Sequence, residues 1–472
     1  MRSKLFIALG LVVCLTIAIY VAGCGSGSGS TAMQVATVNV TVSDPATCAA
    51  PQGQFSHIFV TITDALIHQS STAGPNDPGW VDLTPNLKNA PMQVDLLGIA
   101  NNQCFLATLG STTAIQPGTY QQIRVILADN TTTVANNKCG SSANCVMLTS
   151  DVNQTPHTLL LSSESQTGIK IPSGQLAGGQ FTVAAGQVKD LNIDFNACAS
   201  VVQMGNGSFR LKPVLHAGEV SLTSSSITGT VMDSVTKQPI VGGNAVVALE
   251  QKDANNVDRV IMETVAGNNG NFIFCPVPAG AYDVVITAIN GSGVAYGATV
   301  ITGVQPGNSL GNVLIVSAAL PASFKGQITT STGSVATAAD IQLSALQPIT
   351  VNSVTIDITV PLPQIPAATA TLTTAPGACP ANTDCVNYTL SVPAMNPGVA
   401  SFSTSGTQTP GAPAAGPINY TMDALAFVPG QAGTADCNPT HMQTSQTTTN
   451  TPLTATAGTQ SLPATLAFTG CQ

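Results

Sequence analysis

The sequence predicts an all-β architecture of tandem β-sandwich domains. Three observations carry that expectation. Apolar and polar residues alternate at period two in Val38-Asn39-Val40-Thr41-Val42, in Leu191-Asn192-Ile193-Asp194-Phe195 and in Phe209-Arg210-Leu211-Lys212, the pattern of strands with one buried face. Turn-forming clusters such as Gln116-Pro117-Gly118 and Pro172-Ser173-Gly174 separate such runs. No stretch carries a long amphipathic helical period.

The chain opens with Arg2 and Lys4, then a charge-free and mostly apolar run from Leu5 to Val21, then Ala22-Gly23-Cys24. A basic start, an apolar core and small residues before a cleavage point make residues 1–23 an export leader. An ordinary signal peptide or an uncleaved membrane helix would also fit a run of near-spanning length. Val21-Ala22-Gly23-Cys24 resembles the bacterial lipobox, however, and a Gly25-Ser26-Gly27-Ser28-Gly29-Ser30 tether follows it. The resemblance implies that 1–23 is a lipoprotein signal peptide and that Cys24 receives diacylglycerol and becomes the mature amino terminus. Residues 24–34 are then a lipidated cysteine with its tether, and membrane lipid is the first expected partner. Gly25 in place of aspartate implies, by the same resemblance, the outer membrane.

Three β-domains are expected after the tether, at 35–220, 227–316 and 322–472. The second opens with Ile227-Thr228-Gly229-Thr230-Val231, and Tyr282, Val284 and Ile286 are placed on its core face. The third repeats the opening in Phe324-Lys325-Gly326-Gln327-Ile328. Val354, Ile356, Ile358 and Val360 then alternate with Thr355, Asp357 and Thr359, and Val386, Tyr388, Leu390 and Val392 do the same. An Ig-like sandwich is the reading, with Thr/Ala/Pro-rich loops such as Met442 to Gln460, part of which is expected to be disordered.

Several stretches of the first domain resemble domain of unknown function 4382. They are Thr63-Asp64, Val94-Asp95-Leu96-Leu97-Gly98, Pro117-Gly118-Thr119-Tyr120-Gln121-Gln122-Ile123-Arg124, Gly168-Ile169-Lys170-Ile171-Pro172, Asp194-Phe195 and Arg210-Leu211-Lys212-Pro213-Val214. The likeness implies an exported bacterial architecture and brings no activity with it. In the second domain, Gly270-Asn271-Phe272-Ile273-Phe274 and Val277-Pro278-Ala279-Gly280-Ala281-Tyr282-Asp283-Val284 resemble the carboxypeptidase regulatory-like module, a small sandwich of transthyretin and starch-binding shape. Nothing of a carboxypeptidase metal site accompanies it.

Composition narrows the function. Charged residues are only 7% of the chain and the net charge is −9. The thirteen basic residues form no run, which argues against nucleic acid, whose phosphates require clustered Lys and Arg. With so few carboxylates to protonate, stability is expected to vary little with pH.

Twelve cysteines are present; setting aside Cys14 in the leader and Cys24 leaves ten, an even number that reads as disulfides outside the cytoplasm. Cys139 with Cys145, and Cys379 with Cys385, bracket short turns, and Cys437 with Cys471 would tie down the carboxy-terminal strand. Cys48, Cys104, Cys198 and Cys275 allow three pairings, of which Cys48–Cys104 with Cys198–Cys275 is favoured. No CxxC pair and no histidine at ligand spacing points to a metal, and no cofactor is expected.

No catalytic constellation emerges. Gly307-Asn308-Ser309-Leu310-Gly311 has the letters of a nucleophile elbow, but Pro306 precedes it and a Pro-Gly turn between strands is expected. Asp64 and His68 could form a triad with Ser56 or Ser70 only if strand alternation allowed it. The five histidines are expected to be solvated or hydrogen-bonded near strand ends. Asp253-Ala254-Asn255-Asn256-Val257-Asp258 lacks the glycine and bidentate acid of a calcium loop and reads as a hairpin turn. Asp64, Asp95, Arg124, Asp194, Arg210 and Lys212 hold much of the first domain's charge and form a candidate polar recognition face, with cross-strand salt bridging as the plainer explanation. The expected function is that of a non-enzymatic, membrane-anchored surface module for binding, adhesion or scaffolding. A glycan or another envelope or surface protein is its expected partner. The alternative is carbohydrate binding through the starch-binding-like second domain, whose main aromatic residues are Phe272, Phe274, Tyr282 and Tyr296.

Overall fold

The computed structural model describes residues 35–43, 55–100, 107–162, 164–203, 207–220, 226–240, 244–253, 255–267, 269–275, 277–362, 379–428, 437–444 and 452–472. The leader, Cys24, the tether, Cys48 and Cys104 lie outside the described residues. The chain is all-β, in tandem β-sandwiches. Its helices are single turns such as Leu96–Ala100 and Ala197–Ser200. Among the described residues, no helix is long and apolar enough to cross a membrane.

The first sandwich sets a four-stranded sheet, ordered Leu215–Val220, Val188–Phe195, Ala36–Ser43 and Ala107–Ile115, against a nine-stranded sheet built around the long strand Phe55–His68. The first strand alternates as its sequence requires: Val38, Val40 and Val42 are buried, and Asn39 and Thr41 are half-buried. It runs parallel to Val188–Phe195, with Val40 opposite Leu191. That neighbouring strand departs from the expected half-buried pattern, because Asn192 and Asp194 are buried along with Leu191, Ile193 and Phe195. The cause lies outside the first sandwich: its polar face is covered by the rest of the chain.

The second and third sandwiches share a sheet. Four strands of the second, from Asn244–Lys252 through Ala295–Val304, continue into strands of the third to make ten in all. The join is parallel, with Val257 opposite Asp357 and Asp258 opposite Ile358. At the far edge Gly398–Ser401 pairs in parallel with Ala295–Val304, and Thr407–Gln408 pairs with Ser309–Ile315 of the second sandwich's own four-stranded sheet. The third region therefore holds the second from both edges. A Cβ on Gly311, whose φ is +62°, would stand 2.0 Å from the carbonyl oxygen of Gly406, so this close approach of backbones requires glycine.

Cores follow the same plan. Val231, Val247, Phe272, Phe274, Tyr282, Val284 and Ile286 fill one side of the shared sheet. Ala248, Val285, Ala298 and Val300 point to the other side and join Phe324, Ile356, Tyr388 and Leu390 of the third sandwich. Residues on both faces are buried, and the middle of the strand Tyr282–Ile289 accordingly reads Val284-Val285-Ile286 without a polar residue between. Thr287, its buried polar member, donates through Oγ1 to the Pro361 carbonyl at 2.5 Å.

Among the described residues three disulfides are paired, Cys139–Cys145, Cys379–Cys385 and Cys437–Cys471, as the spacings predicted. Cys275 is also disulfide-bonded, to a cysteine whose side chain lies outside the described residues. The strands Asn244–Lys252 and Val257–Val265 pair as an antiparallel hairpin, and between them Asp253 Oδ1 accepts from the backbone N–H groups of Asn255 and Val257. Gly307 to Gly311 spans a turn and the start of the strand Ser309–Ile315, with strands on both sides.

A polar cleft where three sandwiches meet

The six charges proposed as a recognition face do not share a surface. Asp64, Arg124, Asp194 and Lys212 are buried, and only Asp95 and Arg210 are partly exposed. Arg124, 1% exposed, donates to the carbonyls of Thr167 at 2.8 Å and Ala73 at 3.3 Å and lies over the Trp80 ring at 5.3 Å. Asp64 meets Lys88 at 3.1 Å, and burial followed by the nearby Asp82 pushes its carboxyl up to about 6. Arg210 donates to Ser162 Oγ at 2.7 Å. Lys212 donates to the Ala339 carbonyl at 2.6 Å, crossing from the first sandwich to the third. The physical reason for the correction is twofold: other sandwiches pack beside Asp194 and over Lys212, while Asp64 and Arg124 are covered by residues 73–88 of the first sandwich itself.

The histidines divide. His57 Nδ1 and Asp95 Oδ2 stand 2.6 Å apart, a pairing the sequence did not reveal, while the adjacent Ser56 donates to Gln154. His68 bonds the Pro78 carbonyl and accepts from the Ser70 amide, so it does not engage Asp64. His441 pairs with Asp423. His216, expected at a strand end in water or hydrogen-bonded, is instead 9% exposed, and burial pushes its imidazole down to about 4.

His216 lines a cleft of ≈ 360 Å³ whose walls come from all three sandwiches. The first sandwich contributes Gln175, Asn196 and His216; the second Arg259, Val260 and Glu263; the third Leu343, Leu425, Phe427 and His441. Strand geometry sets these groups. Asp194 stands opposite His216 in adjacent antiparallel strands, and Asn196 follows two residues later on the same face. Asn196 Nδ2 donates to Glu263 Oε2 at 3.1 Å and so joins first sandwich to second. Asp194 accepts from Ser43 Oγ at 2.9 Å, yet burial, with Glu263 adding to it, pushes its carboxyl up to about 7.

Arg259, on the same strand as Glu263, joins second to third. Its Nε donates to Asp253 at 3.1 Å and its Nη1 to Asp423, whose other oxygen receives His441 and, at 2.8 Å, Gln443 Nε2. Burial alone would raise the Asp423 carboxyl, but His441 and Arg259 outweigh it and hold it below the ordinary value. The guanidinium charge is thus spent within the wall.

Glu263 differs. It is 5% exposed, and burial pushes its carboxyl up to about 7 although Asn196 opposes the shift. Its Oε1 has no hydrogen-bond partner, and neither Oε1 nor Nε2 of Gln175, 3% exposed, has one either. Buried polar atoms without partners cost about 1–3 kcal/mol each, so their gathering around one cleft is costly unless something else meets them. A second acidic group, buried Glu250 and Asp258 with half-buried Asp283, lies along the seam near Thr359. Glu250 accepts there from the Thr359 amide at 3.1 Å, and burial followed by Asp283 pushes Asp258 up to about 8. Among the described residues no group of three His, Cys, Asp or Glu is placed to hold a metal.

Phe272, Phe274, Tyr282 and Tyr296 are all buried, so the second sandwich shows none of these rings to a sugar.

The first sandwich also carries a family signature. Residues 35–213 match the family model described as Domain of unknown function (DUF4382). The match ends just before Leu215–Val220, the strand that completes the four-stranded sheet and delivers His216 to the cleft. No curated protein matches the chain. Among solved structures, the streptococcal ancillary pilin is 8% identical, with 91% of this chain and 98% of that one covered and a TM-score of 0.16. The minor pilin GBS52 of Streptococcus agalactiae is 8% identical, over 52% and 96%, with a TM-score of 0.14. The Bacillus anthracis TIE protein is 8% identical over 92% of this chain, with a TM-score of 0.16, and the chain spans 50% of its length.

Proposed function

We propose that this protein is a non-catalytic, lipid-anchored envelope lipoprotein whose ectodomain is a rigid binding or scaffolding body. The observation that carries the reading is the weld between sandwiches. Lys212 to Ala339, Asn196 to Glu263 and Arg259 to Asp423 each cross from one sandwich to another through buried polar groups. Such contacts fix geometry more than they add stability. A body of this kind projects loops in fixed relation to one another, and its histidines at 57, 68 and 441 are held by structural partners rather than beside a nucleophile.

The anchor is Cys24, which the lipobox resemblance marks for diacylglycerol, in the outer membrane by the same resemblance. Eleven residues separate it from the first strand at Ala36. The second sandwich is read as a carboxypeptidase regulatory-like module serving as a connector. The partner is a glycan or another envelope or surface protein. A glycan array and a panel of purified envelope proteins, probed with the full-length protein in detergent, test the binding role. A hydrolase substrate panel tests the absence of catalysis, and turnover of any substrate in it contradicts the reading.

A further inference from the structure

We propose that the three-way cleft is a binding site for a small primary amine that carries hydroxyl or amide groups beside its ammonium. The cleft has the ≈ 360 Å³ of a small-ligand pocket, with Val260, Leu343 and Phe427 offering apolar wall to a carbon skeleton. Its charge is one-sided. Arg259 is neutralised by Asp253 and Asp423, and His441 is taken by Asp423 as well. His216 stays uncharged, so among the described lining residues no free cation faces the cavity to receive an anion.

Glu263 is the complement to an ammonium. Asn196 satisfies one of its oxygens and leaves Oε1 buried without a partner, on a side chain that is 5% exposed and lines the cleft. An ammonium at that oxygen restores the lost hydrogen bond and the lost charge balance in one contact. Gln175 has an unpartnered acceptor and an unpartnered donor on the same amide, which suits a ligand hydroxyl or amide able to give and accept together. Amino sugars and amino-acid amides are two sources of this chemistry.

The test is isothermal titration of the full-length protein in detergent with glucosamine and with leucinamide, and with glucose and N-acetylglucosamine as neutral counterparts. At least one amine is expected to bind, and each amine that binds should do so at least tenfold more tightly than the neutral sugars. Glu263→Gln keeps shape and removes charge, and should weaken the amine about tenfold or more. Gln175→Ala should weaken it roughly three- to tenfold, as expected for one or two lost hydrogen bonds. If neither amine binds, or neutral sugars bind equally well, the proposal is overturned. So it is if Glu263→Gln, with an unchanged melting temperature, binds as the parent does. Should that variant fail to fold, the comparison of charged with neutral ligands on the parent protein still decides the matter. Failure here leaves the anchored scaffold untouched, since neither Cys24 nor the weld depends on an occupied cleft.

Discussion

Arg259 and Asp423 lie 164 residues apart in sequence and form a buried ion pair that closes the seam between the second and third sandwiches. Removing one partner leaves the other charge stranded out of water. We predict that Arg259→Ala or Asp423→Ala lowers stability by about 3–5 kcal/mol. Replacing both with leucine should recover only part of that loss, because Asp253 and His441 then lose their partners. Denaturant unfolding of the single and double variants measures this. A single variant with unchanged stability would mean the pair contributes nothing to the seam.

The backbone contact at the far edge makes a separate prediction. Gly311→Ala sets a methyl group against the Gly406 carbonyl and strains a positive φ. The pairing of Asn312 with Thr407 and of Val313 with Gln408 should open. We expect a loss of about 1–3 kcal/mol and faster amide hydrogen exchange in the strand Ser309–Ile315. Exchange that stays as slow as in the parent protein would show that the edges are joined more loosely than described.

The expectation of pH indifference does not survive the structure. Burial pushes Asp258 up to about 8 and both Asp194 and Glu263 up to about 7. A carboxyl with a raised folded pKa holds its proton more tightly in the native state. Its stabilising contribution is therefore complete in acid and is lost as pH rises through the folded value. His216 acts in the opposite direction, but its contribution falls away only below the ordinary histidine value, on the way down to about 4. Lowering the pH from about 8.5 to about 6.5 should thus raise the melting temperature by several degrees. Scanning calorimetry across that range checks the sign; a flat or falling midpoint would contradict the buried carboxyls.

The strand pattern was legible wherever one face meets the core. Val38 with Val40 and Val42, and Tyr388 with Leu390 and Val392, stand buried as their alternation predicts. The site was not legible, for a physical reason. Asp194 and Lys212 alternate with apolar neighbours as exposed residues would, and the covering sandwich that buries them comes from distant sequence. Gln175 and Glu263 carry no local pattern at all. Only the parallel join of Val257–Val265 to Val354–Thr359 completes their surroundings, and period-two reading contains no information about such pairings.

The disulfides should contribute unequally. Cys437–Cys471 closes 34 residues and the other two close six each. On loop-closure grounds the long bridge should contribute about 3–4 kcal/mol and the short ones less. Cys437→Ser with Cys471→Ser should therefore destabilise more than loss of either short bridge, measured by urea unfolding. Equal losses would show that strain rather than chain entropy governs them.

Cys24 is expected to bear lipid and to hold the protein to the membrane. Two acyl chains anchor stably where one does not, at about 0.8 kcal/mol per buried methylene, so a diacylglyceryl cysteine suffices without a membrane-spanning helix. The direct measurement is mass spectrometry of the mature amino terminus together with detergent phase partitioning. We predict an amino-terminal Cys24 bearing diacylglycerol, recovered in the detergent phase, with lipidation abolished by Cys24→Ala. An amino terminus at another residue, or an unmodified Cys24 in membrane-bound protein, would contradict the anchor and the localisation that rests on it.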